Sequence, residues 1–226
     1  GGLALMFSFT LSIASTFAFT TAYFRRDATF ANLAEVLLYA ALASSVISTL
    51  MLVYYFLTDN FSIFYVYANS HRPMPAVYKL SAVWAGKEGS LLLWSLFTLA
   101  AASIFMARGK KDIRKLKASA VLAAIASYIL AINCLASNPF ETLHFTPGDG
   151  IGLNPLLRTV EMIFHPPVVF LGYALAAIPY ALHIAGIEDE ARKWARYAWL
   201  SLTLGIILGG WWAYRTLGWG GFWGWD

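Results

Sequence analysis

Long apolar runs separated by short polar ones set the pattern of this chain. A membrane-crossing helix takes about 20 mainly apolar residues. Six stretches meet or nearly meet that length, roughly 3–24, 33–57, 90–107, 118–136, 167–185 and 197–214. Two kinds of connection lie between them. Residues 25–32, 108–117 and 186–196 are short and basic, holding Arg25, Arg26, Arg108, Lys110, Lys111, Arg114, Lys115, Lys117, Arg192, Lys193 and Arg196, eleven of the sixteen Lys and Arg. The opposite side keeps Arg72, Lys79, Lys87, Arg158 and Arg215 despite its longer loops. Basic residues concentrate in cytoplasmic loops, so the longer connections and both ends of the chain are expected outside the cytoplasm. The pattern predicts an all-α fold: a polytopic membrane helical bundle of about six transmembrane helices, one membrane domain over 1–226, with outer-face segments at 58–89 and 137–166.

Composition agrees. The chain is 59% hydrophobic and 12% charged, about half the charge of a soluble domain. Its net charge of +4 is accounted for by the basic loops, so no nucleic-acid partner is implied. Cys134 is the single cysteine, which leaves no disulfide framework and no Cys-based metal cluster. Any thiol chemistry must come from a partner. The chain starts on Gly1 and stops at Asp226 inside a motif, so it is expected to be a fragment. Its first span has no basic region before it and does not read as a cleavable signal.

The outer connections are not simple turns. The segment 58–89 mixes aromatics with single polar residues, as expected of pieces lying along a membrane surface. It ends on Trp84-Ala85-Gly86-Lys87-Glu88-Gly89-Ser90, with Glu88 suited to a helix N-terminus. The segment 137–166 is rich in Gly, Asn and Pro and predicts an ordered loop. In the last span, Gly205 and Gly209 have the small-xxx-small spacing that lets helices approach closely in lipid, read here as packing only.

Candidate chemistry gathers at the C-terminal end. Five of the nine tryptophans and four glycines fall within 211–226. Trp offers a large flat apolar face and Gly allows close backbone approach, which suggests a shelf for something flat and apolar. As a helix this stretch would align Trp219, Phe222 and Trp223; as an extended strand it would align Trp223 and Trp225. An aromatic belt at the membrane boundary is the plainer reading.

Of the four histidines, His71 and His144 read as ordinary exposed loop residues. His183 lies about 27 Å along a helix from His165 and cannot share its site. His165 precedes Pro166 and Pro167, which fit a first helical turn and restrict the residue before them. A neutral imidazole held there could ligate haem iron or merely cap the helix. No phosphate-binding glycine loop and no intramembrane carboxylate chain competes with it.

With these residues laid out, the chain resembles the CcmF-like haem lyases of cytochrome c biogenesis, which carry a tryptophan-rich "WWD" segment. The resemblance rests on Trp219-Gly220-Gly221-Phe222-Trp223-Gly224-Trp225-Asp226, the Trp84–Trp94 stretch, Ser137-Asn138-Pro139-Phe140, Gly152-Leu153-Asn154-Pro155-Leu156-Leu157 and Phe164-His165-Pro166-Pro167 followed by Gly172-Tyr173. It implies a protein of the prokaryotic plasma membrane, with the WWD segment on the non-cytoplasmic side. There it would receive haem b from a haem chaperone and help attach it to the CxxCH cysteines of apocytochrome c, together with other maturation subunits. It further implies that Trp219, Gly220, Gly221, Trp223, Trp225 and Asp226 hold the haem and that His165 is an axial iron ligand.

The family's second outer histidine and its b-haem histidines would lie beyond Asp226, so the fragment alone is expected to be inactive. Arg215 stands where many relatives carry an acidic residue. A haem propionate, with Arg158 as an equal candidate, or plain interfacial anchoring are its possible roles. The competing functions are a haem transporter that makes no bond and a structural membrane subunit.

Overall fold

Arg26 and Asp27 make the first corner. The computed structural model describes residues 1–108 and 111–216. Helix α1 (Gly2–Arg25) ends where Arg26 takes a left-handed backbone with φ 53°. Helix α2 (Ala28–Leu57) starts at once, because the Asp27 carboxylate accepts the Thr29 N–H at 2.7 Å and satisfies one of the unpaired donors of a helix start. Two short helices follow, α3 (Phe64–Asn69) and α4 (Ala76–Ala82), then α5 (Lys87–Ala107), α6 (Ile113–Leu135), a single 3-10 turn Pro155–Leu157, α7 (Glu161–Ile184) and α8 (Glu188–Thr216).

The architecture is the expected all-helical membrane bundle, with α1, α2, α5, α6 and α7 long and apolar enough to cross a membrane. Among the described residues five helices meet those criteria, against the six or so expected. The expected sixth span, 197–214, is wholly helical within α8. However, α8 opens on Glu188, Asp189, Glu190, Arg192, Lys193 and Arg196, and its second half mixes Leu204, Ile206, Ile207 and Leu208 with three glycines and two tryptophans.

Helices pack in lipid without a hydrophobic drive between them, so small residues and interhelical hydrogen bonds do the joining. Ser8, Ser12 and Ser15 of α1 are fully buried. They donate to Ala41 O at 2.9 Å, Ala123 O at 3.3 Å and Ala34 O at 2.8 Å, tying α1 to α2 and α6. Ser127 of α6 answers with a 2.9 Å bond to Ser12 Oγ.

The three basic connections meet at one end of the bundle. Lys111 pairs with Glu35, Lys117 Nζ donates to Ile184 O at 2.8 Å, and the Arg108 guanidinium lies 5.6 Å from the Trp194 ring centroid.

At the other end, the segments 58–86 and 136–160 interlock. Phe64 N donates to Glu141 O and Leu143 N to Ser62 O, each at 2.8 Å, around the bridge between Ile63 and Thr142. Ile151 N reaches Tyr67 O at 2.8 Å. Asp149 accepts the Arg72 backbone N–H at 2.8 Å, and this bond and that from Gly150 hold its carboxyl below the usual carboxylate range. Lys79 is buried in an ion pair with Asp59 at 2.6 Å. The ordered loop expected at 137–166 is thus found, although its last six residues already belong to α7.

The entry to α5 is built around Tyr65. Its hydroxyl accepts the Gly86 N–H at 2.8 Å and lies 3.2 Å from Val83 O, to which it can donate. Burial pushes this hydroxyl well above the ordinary phenol value. Glu88 falls in the first turn of α5 as expected. Gly89 is required sterically, since a Cβ there would lie 1.6 Å from Val83 O. Gly89→Ala is expected to destabilise the protein by about 1–3 kcal/mol, the usual range for overpacking, at the upper end because the obstructing atom is backbone. Gly148→Ala, which meets nothing within 4 Å, is the matched control in detergent-micelle unfolding.

Candidate functional site

His165 belongs to the second turn of α7, because that helix begins at Glu161, six residues before the predicted span. Pro166 and Pro167 therefore lie inside the helix and not in its first turn as the sequence suggested. A proline at 166 cannot donate to the carbonyl four residues back, that of Met162. The indole N–H of Trp84 takes over, donating to Met162 O at 2.8 Å. The carbonyl that Pro166 leaves without a helical partner is thus satisfied from the α4–α5 connection, and the helix carries His165 through its prolines.

The other wall is α8, which runs antiparallel to α7 along a line of glycines. A Cβ at Gly172 would meet Leu202 Cδ2 at 2.6 Å, one at Gly205 would meet Val169 Cγ2 at 2.6 Å, and one at Gly209 would meet His165 Cε1 at 2.7 Å. Ser201 Oγ adds a 2.8 Å bond to Val168 O. Gly209, read from sequence as packing alone, thus has a second consequence: its missing side chain makes the slot that the His165 imidazole occupies, while Gly205 supplies the carbonyl beside the ring.

His165 Nδ1 lies 2.8 Å from Gly205 O. A carbonyl oxygen can only accept, so Nδ1 carries the proton and the neutral ring keeps its lone pair on Nε2. This is the arrangement in which a second partner fixes the tautomer and orientation of a ligating histidine. Trp212 flanks the ring at 5.8 Å between centroids and 56° between planes. Its indole Nε1 is buried with no partner among the described residues.

One turn before His165 stands Glu161, which the sequence reading passed over. Its side chain is only 6% exposed. It accepts the Trp211 indole N–H at 3.1 Å and forms an ion pair with Arg215. The sequence signal for it was its i, i+4 relation to His165, visible only once α7 is known to start at Glu161.

Trp219, Gly220, Gly221, Trp223, Trp225 and Asp226 lie outside the described residues. Arg215 faces Glu161, and Arg158 Nε donates to Leu153 O at 2.9 Å. His144 is exposed as expected. His71 is half-buried rather than exposed: its Nδ1 is out of contact with solvent, packed where the left-handed backbone of Gly152 (φ 100°) leaves room. His183 Nδ1 lies 2.7 Å from Glu188 Oε1 at the basic end, far from His165. Among the described residues no three His, Cys, Asp or Glu side chains converge on a metal-sized site.

The fold and site define a polytopic helical membrane protein that presents one tautomer-fixed histidine, framed by glycine and tryptophan, at the end of the bundle opposite its basic loops. The chain belongs to the cytochrome c assembly protein family, whose sequence model matches residues 84–226. It is 38% identical to the cytochrome c-type biogenesis protein CcmF of Pseudomonas aeruginosa, an alignment covering 100% of this chain and 36% of that protein. It is 36% identical to the cytochrome c-type biogenesis protein NrfE of Haemophilus influenzae, over 90% of this chain and 34% of the relative. Its fold is similar to a solved structure titled cytochrome c heme lyase CcmF, with a TM-score of 0.83 and 28% identity over 98% of this chain and 37% of the other. The chain spans about a third of the length of these relatives.

Gly209→Ala is expected to push the His165 ring from Gly205 O and cost about 1–3 kcal/mol. Gly210→Ala, with nothing within 4 Å of its Cβ, is expected to be neutral or slightly stabilising in the same helix. Parallel unfolding curves in micelles check the contrast.

Proposed function

We propose that this chain is the part of a cytochrome c haem lyase that receives haem outside the cytoplasm and holds it for thioether attachment to the CxxCH cysteines of apocytochrome c. The observation that carries the reading is the His165 tautomer. A ring whose Nδ1–H is committed to Gly205 O offers Nε2 in the state an iron ligand requires, without first losing a proton. The residues present fit haem in two further ways. The His165 ring is half-buried against Trp212, which limits access of water, and the polypeptide leads from there into the Trp- and Gly-rich stretch 217–226.

Haem is cargo in this reading, and it supplies the carbon atoms that become thioethers with the substrate's cysteines. The chain's own residues orient and exclude water. His165 would hold the iron, Trp212 covers one side of the imidazole, and Trp219, Gly220, Gly221, Trp223, Trp225 and Asp226 would supply the shelf. Positioning of this kind is worth many powers of ten when two reactants must meet in one geometry. The nucleophilic thiols belong to the substrate, in keeping with a single half-buried Cys134. The haem is b-type until attached, and its donor is a haem chaperone. The basic end faces the cytoplasm of a prokaryotic plasma membrane, so His165 opens on the other side.

The test is the absorption spectrum of the full-length protein, wild type beside His165→Ala. A Soret band that is present in the wild type and lost or shifted in the variant is the expected result. A wild type that takes up no haem even when the chaperone is supplied would leave a structural subunit as the reading. Haem uptake without attachment to a CxxCH peptide by the reconstituted complex would leave a transporter.

A further inference from the structure

Resting on the reading of His165 as an iron ligand, we propose that Glu161 is a positioning residue for it. Glu161 clamps the last turns of α8 to the first turn of α7, so that Gly209 and Trp212 hold the imidazole in register. An acidic residue in a first helical turn is ordinarily explained by the helix dipole. That explanation does not account for a carboxylate that is 6% exposed and takes two donors from a different helix. Burial of a charge costs several kcal/mol unless it is well paired and hydrogen-bonded. Both conditions are met here by Arg215 and by Trp211 at 3.1 Å.

The geometry links this pair of bonds to the ligand. Glu161 and His165 are i and i+4 on α7, one above the other on the same face. Trp211 and Arg215 are likewise i and i+4 on α8. Their two bonds to one carboxylate fix both the height and the rotation of that end of α8. Trp212, the neighbour of Trp211, contacts the His165 ring, and Gly209, two residues before Trp211, forms its slot. A rotation of α8 that released Trp211 from Glu161 would carry Trp212 off the imidazole. It would also turn Gly209 away from Cε1, loosening the bond of Nδ1 to Gly205 O.

The experiment uses the full-length protein as wild type, Glu161→Gln, Trp211→Phe, Arg215→Lys and His165→Ala, with two readouts. The first is hydrogen exchange over residues 205–216 in haem-free protein. The second is the Soret spectrum with the rate of haem loss to excess apomyoglobin. Glu161→Gln is expected to raise exchange across that stretch and to speed haem loss about tenfold or more, as loss of a group that orients a metal ligand does. Arg215→Lys keeps the charge but not the guanidinium geometry and is expected to fall between wild type and Glu161→Gln in both readouts.

Unchanged exchange in Glu161→Gln overturns the clamp. Raised exchange with an unchanged spectrum and unchanged haem loss overturns the positioning role and leaves a structural one. If Glu161→Gln does not fold, Trp211→Phe, which removes one bond from the exposed side, is read by the same two criteria. A wild-type spectrum in His165→Ala defeats the ligand reading itself, and this is distinguishable because the exchange measurement involves no haem.

Discussion

The contact between α7 and α8 across Gly172, Gly205 and Gly209 is what the rest of the site depends on. Helices in hydrocarbon gain little from burying apolar surface against each other, so their distance is set by how closely the backbones can come. Along this seam a Cβ at any of the three glycines would approach an opposing side chain within 2.7 Å. The closeness brings Gly205 O within 2.8 Å of His165 Nδ1 and thereby decides which nitrogen of the ring holds the proton. A packing constraint becomes a chemical one: the close approach that the missing side chains allow fixes the His165 proton on Nδ1 and leaves the lone pair on Nε2.

The second dependence runs through proline. Pro166 leaves a carbonyl without its helical donor at Met162, and Trp84 supplies one from a segment 78 residues away in the chain. That bond joins two stretches that look unrelated in sequence, the Trp-Ala-Gly-Lys-Glu-Gly-Ser turn and the Phe-His-Pro-Pro element. The turn is itself held by Tyr65 and by the absence of a Cβ at Gly89. The connections 58–86 and 136–160 brace each other through backbone bonds and the Asp149–Arg72 contact. The end of the bundle that presents His165 is therefore an ordered cap rather than a set of independent loops.

Elsewhere the bundle solves the same lipid problem with hydroxyls. Ser8, Ser12 and Ser15 recur on one face of α1 and donate to carbonyls of α2 and α6. Hydrogen bonds of this kind average about 0.6 kcal/mol each in membrane proteins, so the three act as locators of register more than as a large store of stability. They hold α1 to α2 and α6; α5 packs on α2 and α6, and α7 on α5 and α6.

Much of the fold was legible in the sequence because membrane insertion is read from composition over about 20 residues at a time. The spans now seen as α1, α2, α5, α6 and α7, the gathering of basic loops at one end and the candidacy of His165 all followed from runs, charges and prolines. Helix boundaries outside the apolar runs did not, since hydropathy is silent on where a helix begins in polar sequence. The start of α7 at Glu161 was missed for that reason, and with it the place of His165 in a second turn. The polar first half of α8 makes the same point from the other side. The tautomer of His165, the clamp from Glu161 to Trp211 and Arg215, and the donor from Trp84 to Met162 are relations between residues 40 to 78 positions apart. No local pattern encodes such relations, and only the packing of α7 against α8 and the α4–α5 connection decided them.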